Sequence, residues 1–229
     1  MEEKNTALLM GRRVCADGSE AESEVFVLRE CSLSVYVNGR LWKRLTCTAC
    51  DLPELVAGRL YTAGRVDSAA EMESLQFPSP ERAEVRLSPT ARRHKRRRVE
   101  PVPWEKEWIF DLARRFQEGM PLHRETFSAH CAFLRRRGEL LYAGEDVGRH
   151  NAVDKAVGFA LLRGVPLSEC VLFTSGRVPS DMAEKAVAAG IPVLVSKASP
   201  TAEAVALAHD AGLTLICRAR EDSFTLFAP

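Results

Sequence analysis

Residues 144–158 read GEDVGRHNAVDKAVG. Two acids, an arginine, a histidine, an asparagine and an aspartate–lysine pair crowd around what reads as a helix start. A surface helix does not need that mixture. Glu145 and Asp146 have the form of an acid–base pair, with helix capping as the plainer role of Asp146. His150 offers an imidazole that titrates near neutrality, and Asp154, one turn on, is positioned to fix its tautomer. The plainer role for His150 is a hydrogen-bonded structural histidine. Cys47-Thr48-Ala49-Cys50 has the C-x-x-C spacing of a redox or metal pair. No second pair completes a zinc site, and the motif precedes a capped helix rather than sitting in a thioredoxin-like unit. Cys131 reads as core.

These groups need elements to hold them. Residues 1–23 show little periodicity and read as a loose terminus or an edge strand. SLSVYVNGRLWKRL places Asn38-Gly39 between two alternating runs, a hairpin signal. DLPELVAGRLYTAG reads as a helix, with Asp51 and Glu54 as a capping box and Gly64 at its end. RAEVRLS reads as a strand. WEKEWIFDLARRFQEG is an amphipathic helix with Trp104, Trp108, Leu112 and Phe116 every fourth residue. AHCAFLRRRGELLYAG reads as a hairpin turning at Arg137-Gly138. In the helix after residue 148, Ala152, Val153, Ala156, Val157, Ala160 and Leu161 form an apolar stripe. Asn151, Asp154 and Lys155 lie off it, and His150 lies at its border. CVLFTS, IPVLVS, LTLIC and FTLF are strands, separated by helices expected to start at Ser180 and Ser199 and to stop at Gly190 and Gly212. Alternation at crossover length gives an α/β C-terminal part with parallel strands.

Ligands of open α/β sheets sit beyond the carboxyl ends of the strands. Three strand-to-helix joints converge there: Asp146 to His150, Ser175-Gly176-Arg177, and Ser196 to Thr201. Helix starts offer free N–H groups suited to phosphate, and Arg149, Arg177 and Lys197 add positive charge. Each joint alone is also what an ordinary capped helix would show. Together they point to an anion or nucleotide pocket.

The 229 residues allow one large domain or two small ones. With 46% hydrophobic and 28% charged residues, the chain reads as globular. A formal net charge of +1 provides no global field for nucleic acid or membrane. The seven cysteines are odd in number, and Leu8-Leu9-Met10 is too short for the apolar part of a signal peptide. No run is long enough to span a bilayer. A cytoplasmic chain with free thiols is expected. SPTARRHKRRRVEPVP, residues 88–103, is a basic linker. It suggests a boundary between a β-rich part, 1–100, and an α/β part, 101–229. Without interleaved aromatics it fits phosphates or an acidic protein surface better than a specific nucleic-acid sequence.

EDVGRHNAVDKAVG, SGRVPSDMAEKAVAAGIPVLVS, SPTAEAVALAHDAGLTL and CTACDLPELVAGRL together resemble the formate dehydrogenase accessory protein family, FdhD, from the Asn38-Gly39 hairpin to the C-terminus. The resemblance implies an α/β fold, α+β overall, with a cytidine-deaminase-like C-terminal domain and a smaller β-rich N-terminal domain. It implies a sulfur carrier that receives persulfide sulfur from a cysteine desulfurase. The sulfur passes to the molybdenum or tungsten bis-guanine-dinucleotide pterin cofactor of formate dehydrogenase. The cofactor, or a GDP-like ligand, is then expected at Gly148, Arg149, His150, Asn151, Asp154, Lys155, Ser175, Gly176 and Arg177. The end of the next strand, Arg218, Ala219, Arg220, Glu221, Asp222 and Ser223, completes that expectation.

The sequence departs from the family in one chemical respect. The family carries its sulfur-accepting C-x-x-C on the loop between domains, where this chain has Arg92-Arg93-His94-Lys95-Arg96-Arg97-Arg98. The family's T-G-G-x-H segment is Thr126-Phe127-Ser128-Ala129-His130 here, which keeps the histidine and loses both glycines. Cys47 and Cys50 are the remaining candidates for a sulfur nucleophile, and weak or no transfer is expected. The alternatives are a cofactor-binding chaperone that has lost transfer and a nucleic-acid-binding protein using the basic loop. Zinc deamination is set aside, because no P-C-x-x-C follows Ser175-Gly176-Arg177. No zinc, no membrane and no specific nucleic acid are expected, and a homodimer is left open.

Overall fold

The computed structural model describes residues 5–91 and 97–228. Most of the basic run, Arg92 to Arg96, lies outside the described residues. The N-terminal segment forms a hairpin, β1 (Thr6–Val14) with β2 (Glu20–Leu28), in a two-stranded sheet of its own. Of the two expectations for this segment, the loose terminus is corrected and the edge strand holds, since each strand of a two-stranded sheet is an edge. Helical periodicity is absent from 1–23 because an exposed two-stranded ribbon has little burial to impose a pattern.

A four-stranded sheet follows, with β3 (Cys31–Val37), β4 (Arg40–Cys47), β5 (Met72–Ser79) and β6 (Arg82–Leu87) in the order β4-β3-β6-β5. Asn38 and Gly39 both take positive φ, 48° and 77°, as the predicted two-residue turn requires. Between β4 and β5 runs α1 (Leu52–Thr62), whose Leu55, Val56 and Leu60 pack into the core of this sheet. The expected capping box is absent. Asp51 adopts a left-handed conformation and its side chain makes no cap bond. Instead its Oδ2 accepts the Tyr142 hydroxyl at 2.7 Å, across 91 residues of sequence. A long-range acceptor role has displaced the local one.

The C-terminal part begins with α2 (Lys106–Glu118) and the short α3 (Pro121–Thr126). The hairpin of β7 (His130–Arg136) and β8 (Glu139–Asp146) turns at Arg137-Gly138. Then come α4 (Arg149–Leu162), β9 (Cys170–Thr174), α5 (Ser180–Ala189), β10 (Val193–Ser196), α6 (Ala202–Ala211), β11 (Thr214–Cys217) and β12 (Thr225–Ala228). One six-stranded sheet results, in the order β12-β11-β10-β9-β7-β8, with β9, β10 and β11 parallel. The parallel strands β9, β10 and β11 are buried along their whole length because both faces are covered. Leu172 and Leu194 face α4, α5 and α6. Phe173, Val193 and Val195 face Ile109, Leu112 and Phe116 of α2.

Two predicted caps move. Pro179, not Ser180, precedes α5, and Thr201, not Ser199, caps α6 by accepting the Ala204 N–H at 3.2 Å. An isolated parallel bridge, Val178 to Pro200, holds the second loop extended through Pro200 and so delays α6, whereas α5 begins one residue earlier than expected. Gly190 and Gly212 close their helices at φ 75° and 71°, as expected.

The decisive packing lies between α1 and α4. A Cβ on Gly58 would lie 1.8 Å from the Asp154 carbonyl oxygen, and one on Gly158 would lie 1.9 Å from that of Glu54. The two backbones touch, so α4 is covered by the six-stranded sheet on one side and by α1 on the other. Gly58→Ala is expected to cost about 3 kcal/mol or more, at or above the usual range for overpacking. Gly11→Ala, whose added carbon would meet Val25 at an ordinary 3.7 Å, should cost far less. Urea unfolding of the two variants compares them directly.

Candidate functional site

Strand directions decide what meets at the site. β8 is antiparallel to β7, and β7 is antiparallel to β9. The end of β8 therefore lies on the same edge as the ends of β9, β10 and β11, and the start of the antiparallel β7 lies on that edge too. His130 pairs with Asp146 in register, and Ala132 with Thr174. That edge collects Gly148 and Arg149, Ser175 to Arg177, Ser196 to Thr201, and the Arg218–Ser223 segment.

Its hydrogen bonds are specific. The Ser175 hydroxyl accepts the Cys131 N–H at 2.9 Å and lies 3.2 Å from His130 Nδ1. Gly176 accepts the Ser196 hydroxyl at 2.7 Å and donates its N–H to Thr174 Oγ1 at 3.2 Å. Arg149 lies over Gly176: a Cβ there would sit 2.8 Å from Arg149 Cβ and 2.9 Å from its Cδ. Its Nε is enclosed and has no hydrogen-bond partner among the described residues. Arg177 is exposed.

On the far side, Arg218 takes φ 55° and donates from Nε to Ser199 Oγ at 3.2 Å. Ala219 is buried and donates to the Ser196 carbonyl. Arg220 ties the loop down through the Lys197 carbonyl at 2.7 Å, and its own N–H donates to Ser223. Glu221, Asp222 and Ser223 are exposed.

Three other residues expected at the ligand are turned inward. Asn151, Asp154 and Lys155 are buried, the last two completely. Asn151 donates to the Thr46 carbonyl and to Asp146 Oδ1. Lys155 Nζ pairs with Asp146 Oδ2 at 2.8 Å and donates to Thr48 Oγ1 and the Glu145 carbonyl. Burial alone would lower the Lys155 pKa, but Asp146 and Cys50 beside it outweigh burial and raise it. Asp154 accepts from Lys185 at 2.6 Å, Thr62 at 2.7 Å and Arg59 at 3.1 Å. With Asp154 so occupied, His150 meets the carboxylate of Asp181 instead, 3.5 Å from Nε2, which corrects the expected His150–Asp154 pair. The acid–base pairing of Glu145 with Asp146 is also corrected. Glu145 accepts the Leu122 and His123 N–H groups at the start of α3, whereas Asp146 accepts the Gly148 N–H at 2.9 Å and holds Lys155.

The two cysteines of the C-x-x-C motif have different surroundings. Cys47 is buried on β4 across from Cys31, and burial, then Asp146, pushes its thiol far above the ordinary range. Cys50 is half-buried, with its Sγ 3.4 Å from both Lys155 Nζ and Thr48 Oγ1. Among the other thiols, Cys131 is pushed well up by burial and Glu145, and Cys170 and Cys217 are raised to about 12, chiefly by burial.

Sequence reasoning missed Arg59, Thr62, Lys185 and the contact of His130 with Ser175. A signal existed for part of this. Asn151, Asp154, Lys155 and Gly158 are spaced i, i+3, i+4, i+7, which is itself the mark of a second buried helix face.

Burial, then the Arg149 guanidinium, holds the His130 imidazole below its ordinary 6.5. His150 is lowered likewise, by burial and then Lys185. As pH falls through about 6.5, the unfolded chain takes up protons that the folded one refuses, so stability falls. It should be full above that pH and decline below it until the folded values are reached. Thermal melts from pH 7.5 to 5.0 should show the loss, and His130→Asn should reduce it to the share contributed by His150.

The sequence pattern of the FdhD/NarQ family matches residues 91–229. The chain is 31% identical over 233 residues to the sulfur carrier protein FdhD of Sulfurisphaera tokodaii, covering 92% of this chain and 90% of that one. It is 27% identical to the same-named protein of Staphylococcus haemolyticus, covering 98% and 96%. The fold is similar to the crystal structure of a candidate formate dehydrogenase accessory protein from Desulfotalea psychrophila. The TM-score is 0.87 at 27% identity, over 98% of this chain and 97% of that one. On the family pattern and on the full-length likeness together, the chain belongs to the FdhD/NarQ family.

Proposed function

We propose that this protein is a cytoplasmic formate dehydrogenase accessory protein. It holds the guanine-dinucleotide molybdenum pterin cofactor at the carboxyl edge of the six-stranded sheet and passes sulfur to it. The observation that carries the binding half is Arg149. Its Nε is enclosed without a partner among the described residues, beside a glycine that leaves no room for any other side chain. An enclosed cationic donor with nothing to bond is a standing cost that an anionic ligand relieves. Arg177 and Arg218 are exposed around it, and the first turn of α4 offers N–H groups. Arg149, Arg177 and Arg218 would hold the phosphates, with Gly148 and Gly176 allowing close approach. The bound cofactor supplies the metal site that receives sulfur.

The sulfur half rests on Cys50. The thiolate is the attacking species in sulfur exchange. Cys50 is half-buried, so its sulfur is within reach of a donor, and it has the Lys155 ammonium 3.4 Å away, whereas Cys47 and Cys131 are buried. Its sulfur would attack the terminal sulfur of a donor persulfide such as that of a cysteine desulfurase. The donor's S–S bond breaks, the donor leaves as a thiolate, and Cys50 keeps the extra sulfur as a persulfide. A second reading, a cofactor-binding chaperone without transfer, is favoured by the absence of cysteine from residues 88–103.

Calorimetry with GDP should show binding that Arg177→Ala weakens about tenfold; no heat from the wild type would remove the pocket. Incubation with a cysteine desulfurase and cysteine, followed by intact-mass analysis, separates the two readings. The sequence alone leads to weak or no transfer; with Lys155 Nζ set 3.4 Å from Cys50 Sγ, the expected outcome becomes one added sulfur, retained in Cys47→Ser and lost in Cys50→Ser. An unchanged mass would leave the chaperone.

A further inference from the structure

Beside the start of α4 lies a cleft of about 710 Å³ between β4, the end of α1 and α5. It is separate from the carboxyl edge of the sheet. Arg149 and His150 are neighbours in sequence, yet the first lies over Gly176 and the second faces Asp181. The cleft is lined by Lys43 of β4, Arg59 of α1, Arg65 just past it, and Lys185 of α5, with Trp42 and His150 beside them.

The charges there do not balance. Asp154 lies fully buried at the base, and one carboxylate serves both Arg59 and Lys185. Lys43 and Arg65 add two more cations. The carboxylates facing them are Asp154, Asp181 and Glu184, so four cations meet three anions. The Asp181 side chain is 68% exposed, which leaves its charge largely to solvent.

The basic groups register the imbalance. Lys43 is pushed below its ordinary value, first by the Arg59 charge. Lys185 is pushed down by burial, and Arg59 and Lys43 add to the effect against Asp154. His150 is lowered by burial and by Lys185. Lys43 is a poorer cation chiefly because of Arg59, and Lys185 and His150 chiefly because of burial with neighbouring cations adding to it; an anion in the cleft would offset the part that comes from the cations. Arg65 lies against the Trp42 ring, 5.4 Å from its centre, so its guanidinium is kept at the cleft rather than free to swing away.

We propose that this cleft is a second anion site, built for a phosphate or pyrophosphate group, with Lys43, Arg59, Arg65 and Lys185 as its ligands. The site does not depend on the reading of the sheet edge. Small, doubly charged oxyanions match a cluster of four convergent donors better than a single carboxylate does. Inorganic phosphate and the phosphates of a nucleotide share this chemistry.

Calorimetric titration of the whole chain with inorganic phosphate, pyrophosphate and GDP tests it. The variants are Lys43→Glu, an exposed position where folding is not at risk, and Arg177→Ala at the sheet edge. Pyrophosphate should still bind Arg177→Ala, in which the sheet edge is weakened, and adding Lys43→Glu to that variant should weaken the remaining binding at least tenfold. Retained GDP affinity in Lys43→Glu would mean that free phosphates are the ligand class of this cleft. Loss of GDP affinity in both variants would mean that one nucleotide spans both sites. Absence of phosphate and pyrophosphate binding by the wild type, or binding to Arg177→Ala untouched by adding Lys43→Glu, would overturn the proposal.

Discussion

Lys155 carries its ammonium into a place with no solvent exposure, and the architecture around it follows from that requirement. An unpaired charge there would be prohibitive, so Asp146 must stand 2.8 Å away. Asp146 lies at the end of β8, while Thr48, which also takes a bond from Lys155, lies just past β4. The ion pair itself joins the end of β8 to α4, and through the hydrogen bonds of both its members to Thr48 it fastens the edge of the six-stranded sheet to the segment that follows β4. The same contact sets Cys50 beside a cation and directs the chain into α4.

The other face of α4 follows the same logic. Asp154 collects Arg59 and Thr62 from α1 and Lys185 from α5, and the glycine contact between α1 and α4 lets those polar groups reach one another. Mixed polar residues at the start of this helix thus have two tasks. Gly148 and Arg149 open onto the carboxyl edge of the sheet. Asn151, Asp154 and Lys155 hold together the layers that give that edge its shape.

Much of this was legible. Asn38-Gly39 and Arg137-Gly138 turn where their residue types demand, and the apolar strands CVLFT and PVLVS lie in the parallel part of the sheet. The convergence of Gly148, Ser175 and Arg218 on one edge follows from strand order. What escaped was the use made of polar side chains over long sequence distances. Asp51 looks like a cap, but its acceptor serves Tyr142, 91 positions away. Asp154 looks like a partner for His150, but Lys185 and Arg59 reach it first. Local rules speak only for neighbours in the chain, and a carboxylate bonds whichever donors the fold delivers. Cys47 and Cys50, equivalent by spacing, differ because one side chain falls inside the small sheet's core and the other against Lys155.

The account stands or falls on the Asp146–Lys155 pair as the tie between sheets, and a double-mutant cycle measures it. Asp146→Asn and Lys155→Met should each cost about 3–5 kcal/mol, because each leaves a buried charge alone. The double variant, with both charges gone, should recover a large part of that loss, a coupling of about 2 kcal/mol or more. Additive losses, with no recovery in the double variant, would contradict the claim that this pair joins the two sheets and sets the site.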